Sequence, residues 1–96
     1  MKLFGNIYTD LDTSTIANCL CLEQWCCIEI EPDHFELEGS GVKLTLEGSK
    51  EILLFGSLET PLAEIDQWVA GLSDVAMHFA LDLHADEARL IRRYHQ

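Results

Sequence analysis

The chain has 96 residues and carries 17 Asp and Glu against six Lys and Arg, which gives a formal net charge of −11. This length suffices for one hydrophobic core, so we expect a single domain over residues 1–96. The 48% hydrophobic content argues against a disordered acidic tail, and the negative charge argues against nucleic acid or an anionic membrane as a partner.

Several short patterns of alternating apolar and polar residues, typical of strands, occupy the first 58 residues. They cover residues 2–8, 25–31, 34–38, 42–47 and 51–58. After the first pattern, cap-type residues at 9–14 and an apolar stripe predict a helix that ends near Glu23. The later patterns predict an antiparallel meander with one dry face and one wet face, in which residues 51–58 are a central strand.

A second helix is predicted at Thr60-Pro61, with Thr60 as the N-cap and Pro61 in the first helical position. An apolar stripe at helical spacing follows: Ile65, Trp68, Val69 and Leu72. We therefore expect Trp68 to anchor the core and not to bind a ligand.

The C-terminal segment fits two patterns. Every odd position from Val75 to Ala85, including Met77, is apolar or aromatic, which favours a strand, a turn at 84–87 and a last strand through Tyr94. The Ala, Leu, Met and Glu content of the same segment also suits a helix. A helix would be apolar on nearly all sides, so the hairpin is the favoured interpretation.

Together these patterns give the order β-α-β-β-β-α-β-β. Two helices would pack on one face of an antiparallel sheet of five to six strands, an α+β fold of which a decorated ferredoxin-like arrangement is one form. The N-terminus does not resemble a signal peptide, and no apolar run approaches the roughly 18 residues that cross a bilayer, so we expect a cytoplasmic protein.

Four cysteines lie within nine residues, at Cys19, Cys21, Cys26 and Cys27. The first pair points to opposite sides of the predicted helix and the second pair to opposite faces of a strand, so the four thiols cannot converge on one metal. Cysteine is among the most buried residue types, and a disulfide here would close only a tiny loop. We expect reduced thiols packed in the core.

Other chemical patterns have simpler structural explanations. His78, Asp82 and His84 share the polar side of a predicted strand, but the two histidines are too far apart for one metal ion. Asp10 and Asp12 lack the remaining ligands of a calcium loop and fit helix capping better. We find no catalytic or cofactor motif, and we expect no enzyme and no cofactor.

The only cluster of cations is Arg89, Arg92 and Arg93. Three arginines among 17 acids make a poor nucleic-acid site, and pairing with acids of the turn at 84–87 or of a neighbouring strand is the simpler interpretation.

Carboxylates are predicted to line the wet face of the meander. The predicted partner-binding residues there are Glu29, Glu31, Glu36, Glu38 and Glu47, with Asp10 and Asp12 as further candidates. Like charges about 5 Å apart on neighbouring strands cost stability, which suggests a compensating function. Solubility alone is an equally good explanation of the acidity.

Two classes of function fit these features. The first is a small inhibitor, such as a bacterial immunity protein or antitoxin, whose acidic surface covers a basic partner such as a nuclease toxin. The second is a small-ligand or regulatory module with a pocket near Trp25 and Trp68, which could form a homodimer through an edge strand. In size and acidity the chain is similar to bacterial toxin-immunity proteins, and no residue motif assigns it to a family.

Overall fold

The structure is a computed structural model that describes residues 1–76 and 78–96. Over these residues seven strands form one antiparallel sheet. The strands are β1 (Lys2–Tyr8), β2 (Cys26–Glu31), β3 (His34–Gly39), β4 (Val42–Glu47), β5 (Glu51–Leu58), β6 (His78–His84) and β7 (Leu90–His95). The helices are α1 (Thr13–Leu20), α2 (Leu62–Ala70) and a short 3₁₀ helix (Gly71–Asp74).

The strand order in the sheet is β2-β3-β4-β5-β1-β6-β7. The prediction that β5 is central is therefore confirmed. Strands β5 and β6 flank β1 and are antiparallel to it, so they run parallel to each other, joined by α2. This split β-α-β unit is the element that a ferredoxin-like fold contains. The predicted α+β class is confirmed, with a sheet that extends beyond this unit on both sides.

The predicted number of strands was too small. The order β-α-β-β-β-α-β-β allows three strands between the helices, whereas each of the four patterns at 25–31, 34–38, 42–47 and 51–58 forms a strand, which gives seven in all. Gly39 pairs with Val42 at the end of this hairpin, and Ser40 and Gly41 make the turn. A two-residue connection suffices to reverse an antiparallel chain, so the break between the patterns at 34–38 and 42–47 is a complete turn.

All buried strand residues lie on one side of the sheet, which both helices cover. Leu44, Leu46, Ile52 and Leu54 from the middle strands are fully buried, and Ile16 and Ile65 close the core from α1 and α2. Of the predicted stripe on α2, Ile65, Val69 and Leu72 are buried, whereas Trp68 is only half-buried. Trp68 packs against the edge of the core. The prediction that it anchors the core therefore holds for the edge of the core and not for its centre.

Helix boundaries differ from the prediction by one to three residues. Helix α1 ends at Leu20 and not near Glu23, since the chain must leave the helix to bring Trp25 back to the sheet. Helix α2 begins at Leu62 with Pro61 as its N-cap, one residue later than predicted. Helix ends are the least certain part of any pattern, because local residue preferences determine them only weakly.

The C-terminal segment is a hairpin, as predicted. Strand β6 pairs with β7, and Ala88 adopts a positive φ in the turn between them. Phe79, Leu81 and Leu83 are buried on the helix side. Met77, which belonged to the predicted alternation, lies outside the described residues. In the part of the chain that the structure describes, no helix has the length and apolar character to span a bilayer.

Candidate functional site

One side of the sheet is left uncovered by the helices, and we call it the open face. Its centre is apolar: Phe4 and Phe55 lie opposite each other on β1 and β5, and Phe4 is 59% exposed. Leu53 is half-buried beside them, and Tyr8 is exposed at the end of β1, where its hydroxyl donates to Glu51 Oε1 at 3.0 Å. Exposed aromatic side chains grouped in this way are typical of protein contact surfaces.

Carboxylates flank this apolar centre on one side. The acidic flank consists of Glu31, Glu36, Glu38 and Glu47, which the strand register assigns to the open face on β2, β3 and β4. His34 Nε2 lies 3.6 Å from Glu47 Oε1, and Lys43 is opposite Glu38 on the neighbouring strand. Four carboxylates and one lysine leave this flank strongly negative at neutral pH.

Glu29 does not belong to this surface. It pairs with Phe35, whose side chain is buried on the helix side, so the prediction that all five glutamates share one face is wrong for Glu29. The reason is that Trp25 and Cys27 pack against the core, which determines that the odd-numbered residues from 25 to 29 face the helices. A register shift between Glu29 and Glu31 then returns Glu31 to the open face.

This orientation of β2 also leaves apolar residues outside the core. Ile28 faces the acidic flank and Ile30 is 51% exposed, although the alternation predicted them on a dry face. The two other predicted candidates, Asp10 and Asp12, are exposed in the loop before α1 and are not part of the sheet. Asp12 is the N-cap residue of α1, but its side chain makes no capping hydrogen bond.

The far side of the open face, on β6 and β7, carries paired charges. Arg93 Nε donates to Asp82 Oδ1 at 2.9 Å, and this hydrogen bond holds the pKa of the Asp82 carboxyl below its ordinary value. Arg89 pairs with Glu87, and Arg92 lies 3.5 Å from Asp66 on α2. The predicted pairing with acids of the turn or of a neighbouring strand is confirmed for Arg89 and Arg93, whereas Arg92 pairs with an acid of α2 instead.

The histidines do not form a recognisable metal site. His78 and His84 lie at opposite ends of β6, as the strand pattern required. Among the residues that the structure describes, no three His, Cys, Asp or Glu side chains are grouped closely enough to hold a metal ion.

The family models, the curated proteins and the solved structures that we searched contain no match to this chain.

A second feature is a cavity of about 270 Å³ on the helix side of the sheet. Its apolar walls come from Val42, Leu58, Ile65 and the two tryptophans, Trp25 and Trp68. The indole rings lie 5.9 Å apart, centre to centre, with their planes tilted by 59°. A pocket near these two tryptophans was predicted, and the cavity lies at that place; the direct contact between their rings was not predicted.

Two contacts hold the tryptophans in place. Trp68 Nε1 donates to the Leu20 carbonyl at 2.8 Å, which ties α2 to the end of α1. Trp25 lies directly on the backbone of Gly39, where an added Cβ would be only 2.4 Å from its ring. A side chain at position 39 would therefore displace Trp25 from the wall of the cavity.

The cysteines occupy two different environments. Cys21 and Cys27 are half-buried and pack against the core, whereas Cys19 and Cys26 are exposed. Core packing was thus a wrong prediction for the exposed pair, because α1 ends close to Cys19 and β2 is an edge strand. All four thiols are unpaired. Burial raises the pKa of both Cys21 and Cys27.

We expect the thiols to react in two phases. At pH about 8, iodoacetamide should modify Cys19 and Cys26 rapidly, whereas Cys21 and Cys27 should react more slowly, because they are less accessible and a raised pKa leaves less thiolate. Peptide mass spectrometry over a time course would identify the sites. Equal rates of modification at all four thiols in the folded protein would contradict this division into exposed and half-buried cysteines.

One partly buried polar contact was not predicted from the sequence. The Tyr94 hydroxyl donates to Asp66 Oδ1 at 2.6 Å and so connects the edge strand β7 to α2. Burial and this hydrogen bond raise the pKa of Tyr94 well above its ordinary value. The two residues are 28 positions apart, and only the position of α2 over the sheet brings them together.

Replacing Tyr94 by Phe should lower the free energy of unfolding at neutral pH by about 1–2 kcal/mol, because a hydrogen bond to a carboxylate is lost. Because the pKa of Tyr94 is raised in the folded state, its contact with Asp66 contributes its full stability below the unfolded-state pKa of about 10. This contribution is lost as the pH rises from there through the folded-state pKa. The difference between parent and variant should therefore shrink above pH about 10. Urea unfolding over a pH series measures it, and a constant difference would contradict the assigned contact.

Proposed function

We propose that this chain is an acidic protein-binding domain that docks on a basic protein partner through its open face. The observation that carries the proposal is the uncovered face of a seven-stranded sheet, where Phe4, Tyr8, Leu53 and Phe55 form an apolar centre beside the acidic flank. An apolar centre with a polar or charged rim is the usual arrangement of a protein–protein interface.

The distribution of charge supports a basic partner. Within residues 1–76 and 78–96, no carboxylate of the acidic flank pairs with an arginine, because the three arginines pair elsewhere, with Glu87, Asp66 and Asp82. A net charge of −11 would attract a basic protein over a distance of several ångströms and accelerate its encounter with the open face. The same charge opposes binding to nucleic acid, whose phosphates require cations.

Inhibition is the form of this function that we favour. A domain of 96 residues with an acidic, partly apolar face has the size and charge to cover the basic active site of a nuclease. An immunity protein or antitoxin would act in this way, by excluding the nucleic-acid substrate from the surface that it occupies. The partner is thus expected to lose its own binding of nucleic acid when this chain is bound.

Photo-crosslinking tests whether the open face is the contact surface. A photoreactive phenylalanine analogue at Phe4 should capture a basic protein in cells of the source organism, whereas the same analogue at the exposed Leu11, in the loop before α1, should not. Mass spectrometry identifies the captured protein. Capture of acidic proteins only, or equal capture from both positions, would contradict the proposal.

The rate of association with that partner then tests the acidic flank. Changing Glu36, Glu38 and Glu47 together to Gln should reduce the association rate by about tenfold or more at low salt and flatten its dependence on ionic strength. The matched control changes Glu23 and Glu29 to Gln and Asp74 to Asn, which removes the same charge from outside the open face. Equal rates for the two triple variants across a salt series would show that the open face does not steer the encounter.

A further inference from the structure

The cavity beside Trp25 and Trp68 combines apolar walls with carboxylates at its rim. Val42, Leu58 and Ile65 are buried residues of the sheet and of α2 that form its inner walls. Glu59 and Glu64 line the opening, and both are exposed. Among the described residues that line the cavity there is no Lys or Arg, so its charges are those of carboxylates alone.

We propose that this cavity binds a small organic cation with an alkylated ammonium group. The ammonium would lie against the indole rings of Trp25 and Trp68, and its alkyl part would contact the apolar inner walls. Cations bind to the electron-rich ring of tryptophan more strongly than to those of other aromatic residues, and a pair of aromatic walls is the usual means of recognising an alkylated ammonium.

Trp68 offers its ring and not a hydrogen bond. The indole N–H of Trp68 already donates to the Leu20 carbonyl, so that group is satisfied within the protein. Trp25 is held on the backbone of Gly39, which fixes it beside Trp68 before any ligand arrives. Because both rings are already ordered, a ligand would not bear the entropic cost of arranging them.

The carboxylates favour a positive ligand. Glu59 Oε1 already accepts from the Met1 amino group at 2.7 Å, so Glu64 is the rim carboxylate whose charge is available to a ligand. Glu64 has no ion-pair partner among the described residues and lies in the first turn of α2. The N-terminus of a helix by itself attracts anions, but Pro61 has no N–H to offer and the Glu64 carboxylate offsets the positive end of the helix.

Three probes of nearly equal shape and different charge test the proposal. They are choline, its neutral analogue 3,3-dimethylbutan-1-ol and the anion 3,3-dimethylbutanoate. At constant ionic strength, calorimetric titration should give saturable binding of choline, with the alcohol about tenfold weaker and the anion weaker still. Equal affinity for choline and the alcohol, stronger binding of the anion, or no saturable binding of choline up to tens of millimolar would overturn the proposal.

Variants then assign the binding to this cavity. Trp25→Leu, which keeps an apolar side chain, should weaken choline binding by about tenfold, and Glu64→Gln should weaken it by about threefold to fivefold. Glu23→Gln is the matched control, because Glu23 is exposed nearby but does not line the cavity. Circular dichroism confirms that each variant is folded. If Trp25→Leu and Glu64→Gln both bind choline as tightly as the parent, the cavity is not the site.

This proposal is independent of the docking proposal. The cavity opens on the helix side of the sheet, and the open face is the other side, so neither triple variant of the open-face experiment changes a residue that lines the cavity. Failure of choline to bind would leave the crosslinking result at Phe4 unaffected, and failure of the crosslink would leave the titration unaffected.

Discussion

Gly56→Ala should lower the free energy of unfolding by roughly 3–6 kcal/mol. Gly56 lies on the central strand β5 with φ of +147°, a conformation that side chains rarely adopt. A Cβ at this position would lie 2.0 Å from the Lys43 carbonyl oxygen and 2.8 Å from the Leu44 Cα, both on β4. Because these are backbone atoms in the middle of the sheet, they cannot move without breaking the pairing of β4 with β5.

An effect of this size approaches the whole stability of a small domain, so the variant is expected to be largely unfolded at 37 °C. Circular dichroism and urea unfolding measure it. Gly71→Ala is the matched control, since an added Cβ there meets nothing within 4 Å and φ is −65°, and it should be neutral or stabilising by up to about 1 kcal/mol. Equal stability of the two variants would show that β4 and β5 are not paired at Gly56.

Trp68→Ala should lower the free energy of unfolding by about 2–4 kcal/mol. The ring packs against the edge of the core and against Trp25, and its N–H ties α2 to the end of α1 through the Leu20 carbonyl. The expected loss is smaller than for a fully buried tryptophan, because Trp68 is only half-buried.

Trp68→Phe separates the two contributions. It keeps an aromatic ring at the same place but removes the N–H donor, so the free energy of unfolding should fall by only about 1 kcal/mol relative to the parent protein. Thermal and urea unfolding of the three proteins give both numbers. A Trp68→Ala protein as stable as the parent would mean that Trp68 is only a surface residue of the cavity and that α2 is held by other contacts.

The sequence determined the elements because periodicity reports which side of a strand or helix is buried. The alternation from Val75 to Ala85 correctly favoured a hairpin over a helix, since a helix would have exposed apolar residues all round. Thr60-Pro61 located the start of α2 to within one residue. The break at Gly39-Ser40-Gly41 correctly separated β3 from β4, but the predicted order counted three strands between the helices where the structure has four.

The residues that make up the candidate sites were harder to predict from the sequence than the strands and helices. Glu36, Glu38 and Glu47 were correctly assigned to one face, since they belong to strands whose alternate residues are deeply buried. The assignment of Glu29 failed because β2 is an edge strand, whose two faces differ less in burial and whose alternation is therefore a weaker guide. The apolar centre at Phe4 and Phe55 was also missed, because a single exposed aromatic residue within a strand looks like a core residue.

What the sequence by itself determined is thus local: the strands, the helices, the surplus of acid and the absence of a sequence motif for catalysis. The tertiary structure decided what comes together across the chain. It placed Phe4 opposite Phe55, Trp25 against Trp68, and Tyr94 on Asp66. The physical reason is that strand order and helix position are set by the packing of the whole core, to which each local pattern contributes only one surface.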